Sequence, residues 1–168
     1  TGIGGIGTNE EQIVIRHDRG DRRVSPFLIP MMMPNAAAAS VSMRHGFQGP
    51  CEAVVTACAA GTHSIGNAIN AIRYGRTDAM IAGGSEAPIT PTALAGFRNM
   101  TAMSSSGTSM PFDIRRDGFV ISEGAGILIL EEWEHAVARG ATILAEALGS
   151  ASTAAAHPSD VDVHVGDA

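Results

Sequence analysis

The sequence is poor in aromatic residues and lacks the patterns typical of membrane-spanning, secreted or nucleic-acid-binding chains. Aromatic side chains make up 4% of the 168 residues, whereas 45% are hydrophobic and 20 are glycine. No apolar run reaches the ~18 residues that cross a bilayer, and no secretion signal opens the chain. A net charge of −6 argues against phosphate binding, which depends on Lys and Arg clusters. We therefore expect a soluble cytoplasmic protein with a glycine-rich, closely packed α/β core and no nucleic-acid or membrane partner.

The two cysteines are not spaced as a disulfide or a metal site. Cys51 and Cys58 flank a predicted strand, on which an odd spacing points their side chains to opposite faces and about 23 Å of extended chain separates them. The C-x2-C spacing of metal ligands is also absent. We expect reduced thiols, as in a cytoplasmic protein, and no metal.

The glycine-rich opening of the chain resembles a dinucleotide-binding loop only superficially. Residues 2–7 satisfy G-x-G-x-x-G, but this pattern has meaning only between a strand and a helix. No strand precedes it, so we do not expect a nucleotide site.

The remaining pattern alternates predicted strands and helices, which is typical of a layered α/β protein. Prolines predict an irregular segment over residues 20–35, and closing glycines predict the helix ends at Gly46, Gly75 and Gly140. Glycines 83 and 84 are expected to break the strand that begins at Ala79. The pattern predicts helices at 36–45, 59–74, 90–100 and 134–139 and strands at 52–57, 79–82 and 124–133, with 104–119 as a polar loop. Residues 141–152 fit either a strand or a continuing element, and Val161, Val163 and Val165 alternate as in a strand.

Cys58 lies where the predicted strand 52–57 turns into a helix, which is a favourable place for a nucleophile. The positive end of a helix dipole stabilises the reactive thiolate, and the free N–H groups of the first helical turn can stabilise an oxyanion. Small neighbours at Ala57, Ala59, Ala60 and Gly61 would let a thioester approach. A cysteine among alanines is also typical of an inert, buried small side chain, so this segment alone leaves both interpretations open.

Three ordered motifs resemble those of the β-ketoacyl-[acyl carrier protein] synthases, most closely the second elongating type. They are T-A-C-A-A-G-T-H-S-I-G (Thr56–Gly66), A-G-G-S-E (Ala82–Glu86) and P-F-D-I-R-R-D-G-F-V-I-S-E-G-A-G (Pro111–Gly126). The similarity runs from Thr1 to about Ser152. It implies a thiolase-like layered α/β/α fold. The family fold has two halves, and only part of it is present in this chain.

The resemblance also implies an activity, fatty-acid elongation by decarboxylative Claisen condensation. Cys58 would accept an acyl group from acyl carrier protein, and the carbanion left when malonyl carrier protein loses carbon dioxide would attack that acyl thioester. Covalent catalysis of this kind divides one hard step into two easier ones. The resemblance further implies a homodimer. It also implies that no cofactor is needed, because 4'-phosphopantetheine enters only as the arm of the carrier-protein substrate.

The same match assigns further roles along the chain. Ile3 and Phe97 would line the acyl tunnel, while Leu28, Ile29 and Met32 would reach the partner subunit's tunnel. His63 is interpreted as a packing or hydrogen-bonding residue. The charged residues Asp113, Arg116, Asp117 and Glu123 are expected to fix loops, and Gly83, Gly84, Gly124 and Gly126 to allow close backbone approach.

Several family motifs are missing from the sequence. The H-G-T-type and G-H-type histidines that assist decarboxylation and the F-G-F-G-G-T-type gating loop are absent, and His157 and His164 lie in no such context. We therefore interpret residues 1–152 as the nucleophile-bearing portion of an N-terminal half, and 153–168 as an atypical tail or the start of a second half. This portion alone is expected to be inactive in condensation.

Two alternatives stay open. One is a polyketide ketosynthase or another thiolase-fold acyltransferase, and the other is a non-catalytic partner subunit. Such partner subunits usually lack the nucleophile, so Cys58 argues against the second.

Overall fold

The computed structural model describes residues 1–154 and divides them into two compact units. The first unit contains Thr1–Gly2, Pro34–Ser85 and Ala125–Thr153, and the second contains Ile3–Met33 and Glu86–Gly124. Helices are α1 (Ile6–Arg19), α2 (Leu28–Met32), α3 (Ala36–His45), α4 (Ala60–Arg73), α5 (Pro91–Asn99) and α6 (Trp133–Ala138), and strands are β1 (Ala79–Glu86) and β2 (Gly124–Glu131). Short 3-10 turns lie at Asp21–Arg23 and Ala57–Ala59.

The first unit is built on the pairing of β1 with β2. The backbone of Gly83 lies against Gly126 and Ile127, and the N–H of Glu132 donates to the carbonyl of Asp78 at 2.8 Å. From the first contact to the second, the residue number falls on the β1 side, from Gly83 to Asp78, and rises on the β2 side, from Gly126 to Glu132. The two strands are therefore antiparallel. The buried apolar residues of this unit are four alanines and one isoleucine: Ala60, Ala68, Ala82, Ala136 and Ile69.

A charged cluster fixes the end of β2 to α6 in the same unit. Glu131 accepts two hydrogen bonds from the Arg139 guanidinium, at 2.7 and 2.6 Å, and lies in hydrogen-bond contact with His135. Arg139, followed by His135, lowers the pKa of Glu131 from its ordinary 4.5 to about 2. The carboxylate therefore stays ionised far into the acid range.

The second unit packs α1, α2 and α5 with the loops around them. The N–H of Gly5 donates to the carbonyl of Met32 at 3.1 Å, and the buried Gln12 accepts a hydrogen bond from the N–H of Ser25 at 2.7 Å. Helix α5 begins at a Thr90 cap, whose hydroxyl accepts from the N–H of Ala93 at 3.2 Å. Within residues 1–154, no helix is long and apolar enough to cross a membrane.

The predicted helices at 36–45, 59–74, 90–100 and 134–139 are confirmed as α3, α4, α5 and α6, and the strand at 124–133 as β2. Gly46, Gly75 and Gly140 adopt the positive φ values that a helix-ending glycine supplies (68°, 66° and 70°). The predicted break at residues 83 and 84 is wrong, because β1 continues to Glu86. The segment 20–35 is also more regular than expected, since it holds a 3-10 turn and α2.

The predicted strand at 52–57 is wrong as well. Residues 51–56 have no regular secondary structure, and 57–59 form a 3-10 turn. A strand needs a partner for its backbone groups, and the described sheet pairs only β1 with β2. Residues 141–152 form neither of the expected elements. His157, His164 and the alternating valines lie outside the described residues.

Candidate active site

The beginning of α4 is held close to β1 by glycines. A Cβ at Gly84 would lie 3.3 Å from the Cα of Gly61, and one at Gly61 would lie 3.6 Å from the Cα of Gly84. The hydroxyl of Ser64 also accepts a hydrogen bond from the N–H of Gly83 at 3.3 Å. These contacts fix the start of α4 on the strand, and with it the turn that precedes the helix.

That turn carries Cys58. It is a single 3-10 turn in which the N–H of Ala59 donates to the carbonyl of Thr56 at 3.1 Å. Ala57 has a φ of +50°, the left-handed region, where an L-residue with a Cβ costs about 1–2 kcal/mol more than in ordinary conformations. Strain of this order is typical of residues at functional sites, where the surrounding structure imposes it.

Cys58 is exposed and unpaired, and it lies in the turn directly before α4. The hypothesis of a nucleophile requires an accessible sulfur at a helix start, and both conditions are met. The alternative of a buried, inert cysteine does not fit this exposure. Cys51 is also exposed and unpaired but precedes no helix, so it serves as an internal reference. The catalytic role of Cys58 stays a prediction.

His63 forms a hydrogen bond, as the sequence suggested. Its Nδ1 lies 2.8 Å from the hydroxyl oxygen of Thr56, across the Cys58 turn. Thr56 was not predicted as its partner. A usable signal was present, because Thr56 and His63 flank the nucleophile at positions −2 and +5.

The five predicted acyl-pocket residues all lie in the second unit, whereas Cys58 lies in the first. Ile3 is 45% exposed, and its N–H donates to the carboxylate of Glu86 at 3.2 Å. On α2, Leu28 and Met32 are half-buried and Ile29 is exposed. The ring of half-buried Phe97 meets that of Phe119 edge to face at 5.2 Å. The pocket role of these residues stays a prediction.

The charged motif of the second unit fixes loops, as expected. The carboxylate of Asp117 accepts hydrogen bonds from the hydroxyls and backbone of the serine loop, residues 104–106. These bonds, first of all that of the Ser104 hydroxyl, hold the pKa of Asp117 well below its ordinary value. Asp113 binds the Arg115 guanidinium and accepts from Arg116 at its carbonyl, and Glu123 accepts from the N–H of Ile89 at 3.0 Å.

The four glycines predicted to allow backbone approach divide into two pairs. Gly83 and Gly84 do so, because a Cβ at either would meet backbone atoms of Gly126 or Gly61. The expectation that the missing side chain of Gly124 and of Gly126 makes room for another backbone is wrong, since a Cβ at either position would meet none of the described residues within 4 Å. The backbone of Gly126 is instead the surface that Gly83 approaches.

Comparison with known proteins defines the class. The family model described as β-ketoacyl synthase, N-terminal domain, matches residues 1–136, so the chain belongs to this family. Among curated relatives, 3-oxoacyl-[acyl-carrier-protein] synthase 2 of Synechocystis sp. is 49% identical over 94% of this chain, and the Staphylococcus aureus protein of the same name is 49% identical over 94%. The mitochondrial 3-oxoacyl-[acyl-carrier-protein] synthase of Arabidopsis thaliana is 47% identical over 93%. The chain spans only 39%, 40% and 35% of the length of these relatives.

Solved structures agree on the fold. An ishigamide ketosynthase/chain length factor aligns with 89% of this chain at a TM-score of 0.80 and 32% identity, covering 38% of that chain. A ketosynthase of a type II polyketide synthase, in complex with its acyl-carrier protein, aligns with 82% of this chain at a TM-score of 0.76 and 37% sequence identity, and the alignment covers 36% of that chain. A β-ketoacyl synthase from Burkholderia phymatum aligns with 84% of this chain at a TM-score of 0.75 and 35% sequence identity, and the alignment covers 36% of that chain. The expected partial thiolase-type α/β fold is confirmed.

Proposed function

We propose that this chain is the nucleophile-bearing part of a fatty-acid 3-oxoacyl-[acyl carrier protein] synthase, with Cys58 as its acyl acceptor. The observation that carries this proposal is the exposed Cys58 sulfur in a strained turn at the start of α4. The identity of 47–49% to curated 3-oxoacyl-[acyl-carrier-protein] synthases supports the choice of reaction.

The first step is a thioester exchange at Cys58. The thiolate attacks the carbonyl carbon of an acyl group held on a carrier thiol, so a bond from Sγ to that carbon forms. The bond to the carrier sulfur then breaks, and the carrier leaves as a thiol after taking up a proton. The first N–H groups of a helix have no partners within it, and those that are not bonded to the preceding turn, as Ala60 is to Ala57, are suited to stabilise the tetrahedral oxyanion.

The second step elongates the chain. A malonyl thioester loses carbon dioxide, and the electron pair of the broken C–C bond forms the carbanion that attacks the acyl carbon on Cys58. The new C–C bond releases the Cys58 thiolate and yields a 3-oxoacyl thioester two carbons longer. The histidine motifs that assist this decarboxylation in the family are not found in these 168 residues, so the present chain accounts for the acyl transfer step.

The proposal is tested by intact-mass measurement after incubation with an acyl-pantetheine thioester. We expect one acyl adduct on the wild type, none on Cys58→Ala and an undiminished adduct on Cys51→Ala. Cys51→Ala is a matched control because Cys51 is also an exposed free thiol. An adduct that persists in Cys58→Ala, or that disappears only in Cys51→Ala, would refute the assignment.

The proposed carrier of the acyl group is an acyl carrier protein, with 4'-phosphopantetheine as its arm. The type II polyketide ketosynthase of the solved complex was observed with its acyl-carrier protein, which supports a carrier of this kind. Faster acylation of Cys58 by an acyl-carrier thioester than by the free pantetheine thioester would support this choice, and equal rates would contradict it.

The proposed assembly is a homodimer in the cytoplasm. Ile29, which is expected from the resemblance to reach the partner subunit's tunnel, is 60% exposed on α2, and Val55 is 49% exposed beside the Cys58 turn; both are apolar side chains that a subunit interface would cover. Light scattering measures the mass of the assembly, and a monomer across the micromolar range would refute the dimer. Two exposed free thiols suit a reducing compartment, which supports the cytoplasm.

A polyketide ketosynthase is the second candidate. It is favoured by the similarity to a solved type II polyketide ketosynthase, at 37% identity. This value is lower than the 47–49% shared with the 3-oxoacyl-[acyl-carrier-protein] synthases, so fatty-acid elongation is preferred. Products extended repeatedly without reduction would favour the polyketide role.

A further inference from the structure

One hydrogen bond spans the proposed nucleophile. It joins the hydroxyl of Thr56, the residue directly before the Cys58 turn, to Nδ1 of His63 on the first turn of α4, at 2.8 Å. The seven-residue separation encloses the whole turn, residues 57–59, between its two ends. The bond therefore ties the chain entering the turn to the helix leaving it.

The turn needs such a tie because its backbone is strained. Ala57 is held at a φ of +50°, and Thr56 is in neither a strand nor a helix conformation (φ −130°, ψ 47°). A strained residue persists only where the surrounding structure imposes its conformation. The backbone of the turn contributes the short-range hydrogen bonds from Ala59 to Thr56 and from Ala60 to Ala57. The side-chain hydrogen bond between Thr56 and His63 encloses these backbone bonds and joins residues that are further apart in the chain.

The far end of this tie is itself fixed. His63 is followed by Ser64, whose hydroxyl accepts a hydrogen bond from Gly83 on β1, and Gly61 lies against Gly84. Thr56 is thus connected, through His63 and α4, to the paired strands of the first unit. The turn is therefore held in position by contacts with the sheet as well as by its own backbone hydrogen bonds.

We propose that Thr56 and His63 are positioning residues, whose hydrogen bond holds the turn at 57–59 so that the Cys58 sulfur stays at the start of α4. The inference rests on the proposed role of Cys58 as the acyl acceptor. Neither residue is assigned a contact with the reacting atoms, so neither is a catalytic residue. Their effect is on where the sulfur is placed relative to the helix.

The experiment compares paired substitutions at each end of the bond. Thr56→Val removes the hydroxyl and keeps the branched shape, whereas Thr56→Ser keeps the hydroxyl. His63→Leu removes the ring nitrogen, whereas His63→Asn keeps a polar group close to the position of Nδ1. The rate of Cys58 acylation at saturating acyl-pantetheine and the concentration giving half that rate are measured separately by intact mass, with circular dichroism as the check on folding.

We expect Thr56→Val and His63→Leu to acylate about ten- to a hundredfold more slowly at saturation, because misplacement of a reacting group by about 1 Å has effects of this size. The half-saturating concentration should stay within about threefold of the wild type, since neither side chain is proposed to bind substrate. Thr56→Ser and His63→Asn should retain most of the rate. The double variant Thr56→Val/His63→Leu should be no slower than the slower single variant, since both remove the same bond.

A second measurement separates this inference from the proposed function. Alkylation by iodoacetamide, quantified at Cys58 relative to Cys51, needs no acyl substrate, and the ratio should fall in Thr56→Val and recover in Thr56→Ser. If the wild type is not acylated at all, the proposed function fails and this ratio still decides the positioning role. Wild-type rates and ratios in folded Thr56→Val and His63→Leu, or equal losses in Thr56→Ser and Thr56→Val, would overturn the inference. If one breaking variant does not fold, the pair at the other end of the bond decides.

Discussion

A single methyl group at Gly83 is expected to disrupt the sheet that positions α4. A Cβ there would overlap the carbonyl oxygen of Gly126 and lie 2.9 Å from the Cα of Ile127, and these are backbone atoms of the paired strand. The φ of +155° adds a conformation that L side chains rarely adopt. Overpacking costs about 1–3 kcal/mol and backbone strain about 1–3 kcal/mol. Gly83→Ala should therefore lower the free energy of unfolding by about 2–6 kcal/mol.

The measurement is urea denaturation followed by circular dichroism, with Gly126→Ala as the matched control. Gly126 lies on the facing strand, has no positive φ, and would direct a Cβ toward none of the described residues within 4 Å. Its substitution should change the free energy of unfolding by no more than about 1 kcal/mol. Equal stability of Gly83→Ala and Gly126→Ala would show that Gly83 does not lie against the backbone of Gly126 and Ile127. The acylation rate should fall with Gly83→Ala, because the N–H of Gly83 also donates to Ser64 of α4.

Two further stability predictions concern the two units separately. In the first unit, the pKa of Glu131 is lowered to about 2, so its ionised form stabilises the folded state above the ordinary pKa of 4.5, and this contribution is lost as the pH falls toward 2. Glu131→Gln should be less stable than the wild type at pH 7, and the difference should shrink between about pH 5 and pH 2 in urea titrations; a difference independent of pH would contradict the role of Arg139. In the second unit, Thr90→Ala removes the cap of α5 and should cost about 1 kcal/mol in thermal denaturation. Thr92→Ala, at an exposed position in the first turn of the same helix, should change stability by less than about 0.5 kcal/mol, and equal effects would argue against the cap.

The elements that could be predicted from sequence are those with signals contained in a few neighbouring residues. Helices α3 and α4 are predictable because apolar or alanine-rich runs end at Gly46 and Gly75, whose positive φ values confirm the physical basis of the prediction. Helix α1 was not predicted, because the glycine pattern at residues 2–7 was interpreted only as a nucleotide loop without its strand. That helix begins at Ile6, inside the pattern itself.

The failures concern pairing and strain, which depend on distant residues. The β-prone run before Cys58 does not form a strand, because strand formation is decided by a partner elsewhere in the chain. Gly83 and Gly84 were expected to end β1, whereas both lie inside it and allow other backbones to approach. The left-handed conformation of Ala57 could not be predicted, since alanine, unlike glycine or asparagine, carries no preference for it.

The location of Cys58 depends on side chains that are small or absent, which explains how a chain with few aromatic residues can build a defined site. Helix α4 approaches β1 closely only because Gly61 and Gly84 face each other without a Cβ between them. A Cβ at Gly84 would lie closer to the Cα of Gly61 than an ordinary van der Waals contact, so alanine there would displace the start of the helix by a few tenths of an ångström, and the turn at Cys58 would move with it. Close-packed interiors transmit such shifts rather than absorb them. The chemistry proposed for the sulfur is therefore sensitive to substitutions at residues that have no chemical function of their own.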